Sequence, residues 1–314
     1  LEEGPALSVW AGLLGAAPES VRLTFEQSAA DDRFVGSEVL EGRSGTLILL
    51  ADPFSVPVER LIADLERRAP DLSVIGGLAS AGRGPGGNRL LAGRSVHVDG
   101  AVGAWLGPEV SVDTVVSQGC RPIGRPMTVT AADGNLLLEL AGVPALDRLK
   151  TMVDELTPED RQLAASGLHL GRVIDEHQME FGRGDFLIRA VRGAVRDRRA
   201  VAVGDRIEVG ATVQFQVRDA ISADEDLRSL LGEVEGDASL LFTCTGRGAG
   251  LFGEPHHDAG LLSHATGGNA TAGMFCSGEI GPVGARTFLH GYTASIALFG
   301  ARSIVSDNGG FEAE

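Results

Sequence analysis

Two short segments in the last quarter of the chain gather the residue types that recognise or transform small molecules. Cys244-Thr245-Gly246-Arg247-Gly248 follows an apolar run, Leu240-Leu241-Phe242, and so stands where a buried strand should end. Gly246 and Gly248 let successive backbone amides turn inward, while Arg247 offers a planar, permanently charged fork for a carboxylate or phosphate. Gly278-Glu279-Ile280-Gly281-Pro282 follows a second run ending at Cys276, and its glycines allow close backbone approach to whatever lies before Glu279. Strand ends bordering one cleft would let Arg247 and Glu279 grip the two ends of a zwitterion. The plainer alternative for the first segment is a tight turn with a solvated arginine.

The same residues carry a second chemistry. Cys244 or Cys276 with His290 and Glu279 supplies a thiol nucleophile, a base and an orienting carboxylate. No nucleophile-elbow or protease signature surrounds either cysteine, and free cysteine is among the residues most often found in cores, so catalysis by Cys244 and His290 is the alternative to ligand binding. His256, His257 and His264 with Asp258 suggest zinc at first sight. Adjacent histidines on a helix point about 100° apart, however, and no His-x-x-x-His pair exists, so no metal is expected. Gly82 to Gly87 matches G-x-G-x-x-G, but a loop and then a strand follow where a helix is needed, so no dinucleotide or other cofactor is expected.

The elements that must position these residues recur in order. Thr46 to Leu50 reads as a buried strand ending at Asp52-Pro53-Phe54. A helix follows, with Val58, Leu61, Ile62 and Leu65 on one face and Ser55 or Asp52 as its cap. Leu72 to Ile75 is a second strand broken at Gly76-Gly77, and Ser95 to Leu106 a third. Leu240 to Phe242, a helix near His257 to His264, Ala272 to Cys276 with a glycine break, and Tyr292 to Phe299 repeat that pattern about 190 to 200 residues later, which suggests two related halves. Between them, Val213, Phe215 and Val217 alternate with Thr212, Gln214, Gln216 and Arg218, a strand with one wet face and antiparallel neighbours. Asp133-Gly134-Asn135 reads as a hairpin turn. Helices are expected over Leu146 to Leu156, from a Thr157 cap, and from a Ser222/Glu225 capping box. Ser8 to Leu14 is also helix-like. The fold class is mixed α/β, with mixed sheets containing antiparallel strands and helices on the outer faces.

Composition narrows the function classes. The 314 residues are 43% hydrophobic, enough for two ordinary domains. Asp plus Glu number 43 against 27 Lys plus Arg, and the net charge of −16 is spread along the chain, which disfavours nucleic acid and anionic membrane. Cys120, Cys244 and Cys276 form no CxxC pair and leave an odd one over, so free thiols in a reducing compartment are expected. No run approaches the ~20 apolar residues of a membrane span, and no signal segment opens the chain; a cytoplasmic location follows as the expectation. Because Leu1 is not Met, a natural N-terminal portion is expected to be missing.

Several of these segments, in order and spacing, resemble the tandem N-terminal and C-terminal domains of the FIST family, in its bacterial form. The likeness covers Asp52-Pro53-Phe54, Ile75-Gly76-Gly77-Leu78-Ala79-Ser80 and Gly119 to Gly124 in the first half. In the second it covers Asp185 to Arg189, Cys244 to Gly248, Cys276 to Pro282 and Phe288-Leu289-His290-Gly291-Tyr292-Thr293. The resemblance implies a sensory, signal-transducing module that binds a small ligand such as an amino acid or small carboxylate, with a signalling protein as partner. It widens the candidate ligand-binding set to Cys244, Gly246, Arg247, Gly248, Cys276, Gly278, Glu279, Gly281 and His290 with Gly76, Gly77 and Ser80. The implied division is residues 1–124, a connecting segment 125–142, residues 143–301, and a flexible tail 302–314. A protein-interaction scaffold is the remaining alternative.

Overall fold

A computed structural model describes residues 2, 4, 6–28, 32–232, 234–268, 270–300 and 302–303; the expected tail lies largely outside them. A ten-stranded mixed sheet organises the molecule. At its centre Leu72–Ala79 runs antiparallel to Ala270–Val283, and each of these has a parallel neighbour: Gly45–Ala51 for the first, Ala238–Cys244 for the second. Outside each parallel pair comes an antiparallel strand, Ala101–Leu106 or Thr293–Phe299, and beyond it another, Glu19–Glu26 or Val112–Gln118. The repeated order in the sequence is thus a repeated topology about a central seam. The halves are not separate sheets, because the alternating apolar residues of both strand sets continue across that seam.

Helix α1 (Val58–Arg68) buries Val58, Leu61, Ile62 and Leu65 against Leu47, Leu49 and Val74, as its three-and-four spacing dictates. Its expected cap is absent. Asp52 instead accepts from Ser55 Oγ and from Asn88 Nδ2, and Ser55 Oγ accepts from the Gly100 amide, so the Asp-Pro-Phe turn ties two loops to the strand end. Gly76 and Gly77 do not break their strand. A Cβ at Gly76 would lie 1.9 Å from the Leu49 carbonyl oxygen, and one at Gly77 2.3 Å from Cys276 Sγ, so Gly76 allows close approach of the parallel neighbour and Gly77 of the strand across the seam. Ala270–Val283 likewise passes through its glycines, with a register shift between Cys276 and Glu279.

Residues 120–218 form a second unit. Six strands pair antiparallel in a closed ring: Met127–Asp133, Leu136–Leu140, Ala200–Val203, Phe186–Val195, Leu168–Val173 and Thr212–Arg218, the last returning to the first. Gly134, at φ 60°, makes the expected hairpin turn. Helices α2 (Ala145–Glu155) and α3 (Pro158–Ser166) pack on the core of this barrel, and Thr157 caps α3 by accepting from the Asp160 amide. The wet face expected on Thr212–Arg218 is not wet: Gln214 and Gln216 are buried. They face away from the Val213, Phe215 and Val217 core, on the side where Cys120, Phe186 and Ile188 meet Tyr292, in the turn before Thr293–Phe299.

Three further expectations give way. Ser8 to Leu14 is not helical; the weak helix formers around Gly12 yield to tertiary packing, with Trp10 and Phe299 rings 4.6 Å apart and Ser8 Oγ accepting from the Gly273 amide. The strand expected over Ser95 to Leu106 is two, Ser95–His97 and Ala101–Leu106, parted by a turn at Gly100 with φ 72°. Helix α4 (Ala220–Leu231) starts before Ser222 because Asp219 accepts from the Ile221 and Ser222 amides. Among the described residues no helix is long and apolar enough to cross a membrane.

Candidate functional site

The turn after Ala238–Cys244 is built as its glycines suggest. The Arg247 amide donates to the Cys244 carbonyl at 2.8 Å, the Thr245 amide to the Cys276 carbonyl at 2.9 Å, and Gly248 leads into α5 (Ala249–Phe252) and then α6 (His257–Ala265). The Arg247 side chain turns inward and has no exposed surface. Its Nε donates to Asp258 Oδ2 at 2.7 Å and its Nη2 to Asp258 Oδ1 at 3.0 Å. The fork expected to face a ligand therefore already holds a carboxylate, leaving Nη1 alone without a partner.

Around this pair runs a polar network. Thr243 Oγ1 donates to Asp258 Oδ2 at 2.6 Å. His257 stands between Asp258 and Asp224, its ring nitrogens 3.1 and 2.8 Å from their carboxylates, with the Phe252 ring stacked on it at 3.5 Å. Burial alone would raise the Asp258 pKa, but the bond with His257 and the charge of Arg247 hold it at about 2. Burial opposes the charge on His257 too; its two carboxylates outweigh burial and raise its pKa.

Glu279 lies in a drier place. Its Oε2 accepts from the Thr293 amide and hydroxyl at 3.2 and 2.9 Å, while Oε1 is buried without a partner. Burial, only partly opposed by Thr293 and the charge of Arg247, pushes its carboxyl up to about 8. Desolvation also raises all three thiols, Cys120 to about 12, with the Glu279 charge adding to the effect at Cys244 and Cys276. A raised thiol is the opposite of an activated nucleophile. His290 is no paired base for it: Nε2 bonds the Gly281 carbonyl at 2.9 Å, and burial lowers the ring to about 4.

A cavity of about 840 Å³ opens beside the seam, past the end of Leu72–Ala79 and along the first part of Ala270–Val283. Ile48, Leu50, Phe242 and Met274 supply apolar walls, residues 6–10 cross it with Trp10, and Ser80, Asn88, Thr243 and Thr271 add polar groups. A smaller space of about 380 Å³, lined by Arg218, Gly246 and Gly248, adjoins the same turn. Of the candidate ligand-binding residues, Ser80 and Arg247 line the larger cavity, and Gly246 and Gly248 the smaller; His256, His257 and Asp258 also line the larger. Cys244, Cys276, Gly76, Gly77, Gly278, Glu279, Gly281 and His290 line neither. A Cβ at Gly278 would lie 3.0 Å from Leu78, and one at Gly281 2.6 Å from Val116, so both serve strand packing. Sequence reasoning gave no role to Thr243, Asp224 or Trp10; the visible hint was Asp258, at the start of the helix that follows Arg247.

Residues 1–143 match the FIST N domain, and residues 145–282 match the FIST C domain. The chain belongs to the FIST family. Its relatives include the uncharacterized protein Rv0628c of Mycobacterium tuberculosis (strain ATCC 25618 / H37Rv), 44% identical over 305 residues, which is 95% of this chain and 79% of that protein. The uncharacterized protein Mb0898c of Mycobacterium bovis (strain ATCC BAA-935 / AF2122/97) is 42% identical over 307 residues, 95% of this chain and 78% of that protein. FIST domains are linked to sensory signal transduction and small-ligand binding.

Proposed function

We propose that this FIST protein is a cytoplasmic sensory module that binds a small organic ligand in the larger cavity and passes the binding event to a signalling protein partner. The observation that carries the reading is the cavity itself: about 840 Å³, apolar-walled, with a few polar groups, at the mouth between two parallel strand pairs. Pockets of about 300–1,000 Å³ with that lining are where proteins bury organic ligands, and strand ends at a change of topology are where α/β sheets place them. In this reading Ser80, Thr243 and Thr271 meet the ligand, while Arg247 and Asp258 hold the turn and α6 in place.

A thermal-shift screen with amino acids, small carboxylates and larger organic acids tests it. A true ligand at a hundred times its Kd adds about 2.7 kcal/mol. With roughly 2.1 cal/mol/K of unfolding entropy per residue over 314 residues, that raises Tm by about 4 °C. The shift should vanish in Met274→Trp, which fills the cavity. A screen with no shift, or an equal shift in the variant, overturns the reading.

A further inference from the structure

Glu2 is far in sequence from the turn after Ala238–Cys244, yet its carboxylate sits on it. Oε1 accepts from the Ala249 amide and Oε2 from the His256 amide, both at 2.6 Å. The side chain lines both the larger and the smaller cavity, so it stands where the two meet. Gly248 is shaped to this occupant: the three atoms nearest to a Cβ there would all belong to Glu2, with Oε1 first at 1.9 Å. One cation nearby is not committed to a carboxylate: Arg218, which lines the smaller cavity, pairs with none among the described residues, whereas Arg247 is held by Asp258 and its Nη1 is enclosed beside Gly119.

The volume argues about size. A free amino acid would fill a minor part of about 840 Å³, whereas Ile48, Leu50, Phe242, Met274 and Trp10 offer an apolar surface for a longer body. We propose that the cavity takes an amphipathic carboxylic acid, an apolar chain or ring with one carboxylate, whose head displaces the Glu2 carboxylate from the Ala249 and His256 amides. This rests on the ligand-binding reading above and gives it a ligand class. Glu2 is then an internal competitor that holds the head seat until an acid of sufficient apolar surface arrives.

Calorimetric titration of the full chain with decanoate, decanol and alanine, on wild type, Glu2→Ala and Gly248→Ala, tests this. Decanoate should bind wild type and bind Glu2→Ala about tenfold more tightly, since a charge-assisted competitor has gone. Gly248→Ala should weaken decanoate about tenfold while leaving decanol unchanged, because its methyl group blocks the seat whether or not Glu2 is displaced. If both variants strengthen decanoate equally, Glu2 merely closes the cavity and the seat is refuted. Equal affinity for decanoate and decanol refutes it as well. Alanine binding without decanoate binding leaves the sensory reading standing and removes this ligand class; no binding by any compound in folded wild type or Glu2→Ala removes both. Circular dichroism and Tm verify that each variant folds.

Discussion

Asp258→Ala would strip its carboxylate from a guanidinium with no exposed surface, and would leave Thr243 Oγ1 and one ring nitrogen of His257 without that acceptor. Breaking a buried pair on one side costs about 3–5 kcal/mol, most of it from the charge left alone. With roughly 2.1 cal/mol/K of unfolding entropy per residue over 314 residues, a single cooperative transition would fall by about 5–8 °C. Removing both partners, in Arg247→Met with Asp258→Ala, should recover at least half of the loss, since no buried charge remains. Folded Asp258 titrates at about 2 and the free carboxyl at 3.8, so the pair stabilises fully above pH 3.8 and loses its effect only as pH falls through about 2. His257 adds a second pH dependence: Asp258 helps to hold its pKa above the ordinary 6.5, so that part of the gap between wild type and the single variant is fully present below pH 6.5 and shrinks as pH rises beyond it. Urea unfolding of the wild type, both single variants and the double measures the cycle. A single-variant loss below about 1 kcal/mol, or a double-variant loss equal to the sum of the two singles, would refute the account of a desolvated, mutually dependent pair.

Glu279 predicts a pH dependence of opposite sense. Its folded pKa of about 8 lies above the ordinary 4.5, so its contribution is fully present below pH 4.5 and is lost as pH rises through about 8; Glu279→Gln should match wild type in Tm near pH 4.5 and exceed it at pH 8.5. Gly76→Ala, with its Cβ driven to 1.9 Å from the Leu49 carbonyl, should destabilise by about 2–3 kcal/mol in urea, while Gly84→Ala, with nothing within 4 Å, stays within about 0.5 kcal/mol of wild type. The three thiols should resist iodoacetamide at pH 7.5 in the native protein and react together on unfolding; selective labelling of native Cys244 would restore the nucleophile as a reading.

Local periodicity carried the regular elements well. The spacing of Val58, Leu61, Ile62 and Leu65 fixes α1, the Thr157-Pro158 start fixes α3, and the apolar runs locate the four central strands. What periodicity cannot carry is which surface comes to face which. The alternation in Thr212–Arg218 is a sound strand pattern, but Gln216 is 1% exposed because its second face is covered too, on the side of Gly171 and Phe186. Glycine hides its reason in the same way: Gly76 marks close passage of Leu49 in the parallel strand beside it, and Gly77 that of Cys276 in a strand that begins about 190 residues later. Arg247 was legible as a special residue and illegible as a paired one, since Asp258 meets it only once α6 folds back on the strand end.

The central seam sets a timetable for synthesis. Leu72–Ala79 leaves the ribosome long before Ala270–Val283, its partner across the seam. At about 5–20 residues per second the wait is roughly 10–40 s. Through that interval the first half of the sheet presents an unpaired edge, the kind of edge that recruits other chains. The barrel of residues 120–218 can finish meanwhile, because its entry and exit lie together: the Asp219 amide donates to the Gly119 carbonyl. A nascent chain stalled before residue 270 should thus hold a completed barrel beside an open sheet edge, and it is at that point in translation that a chaperone has most to protect.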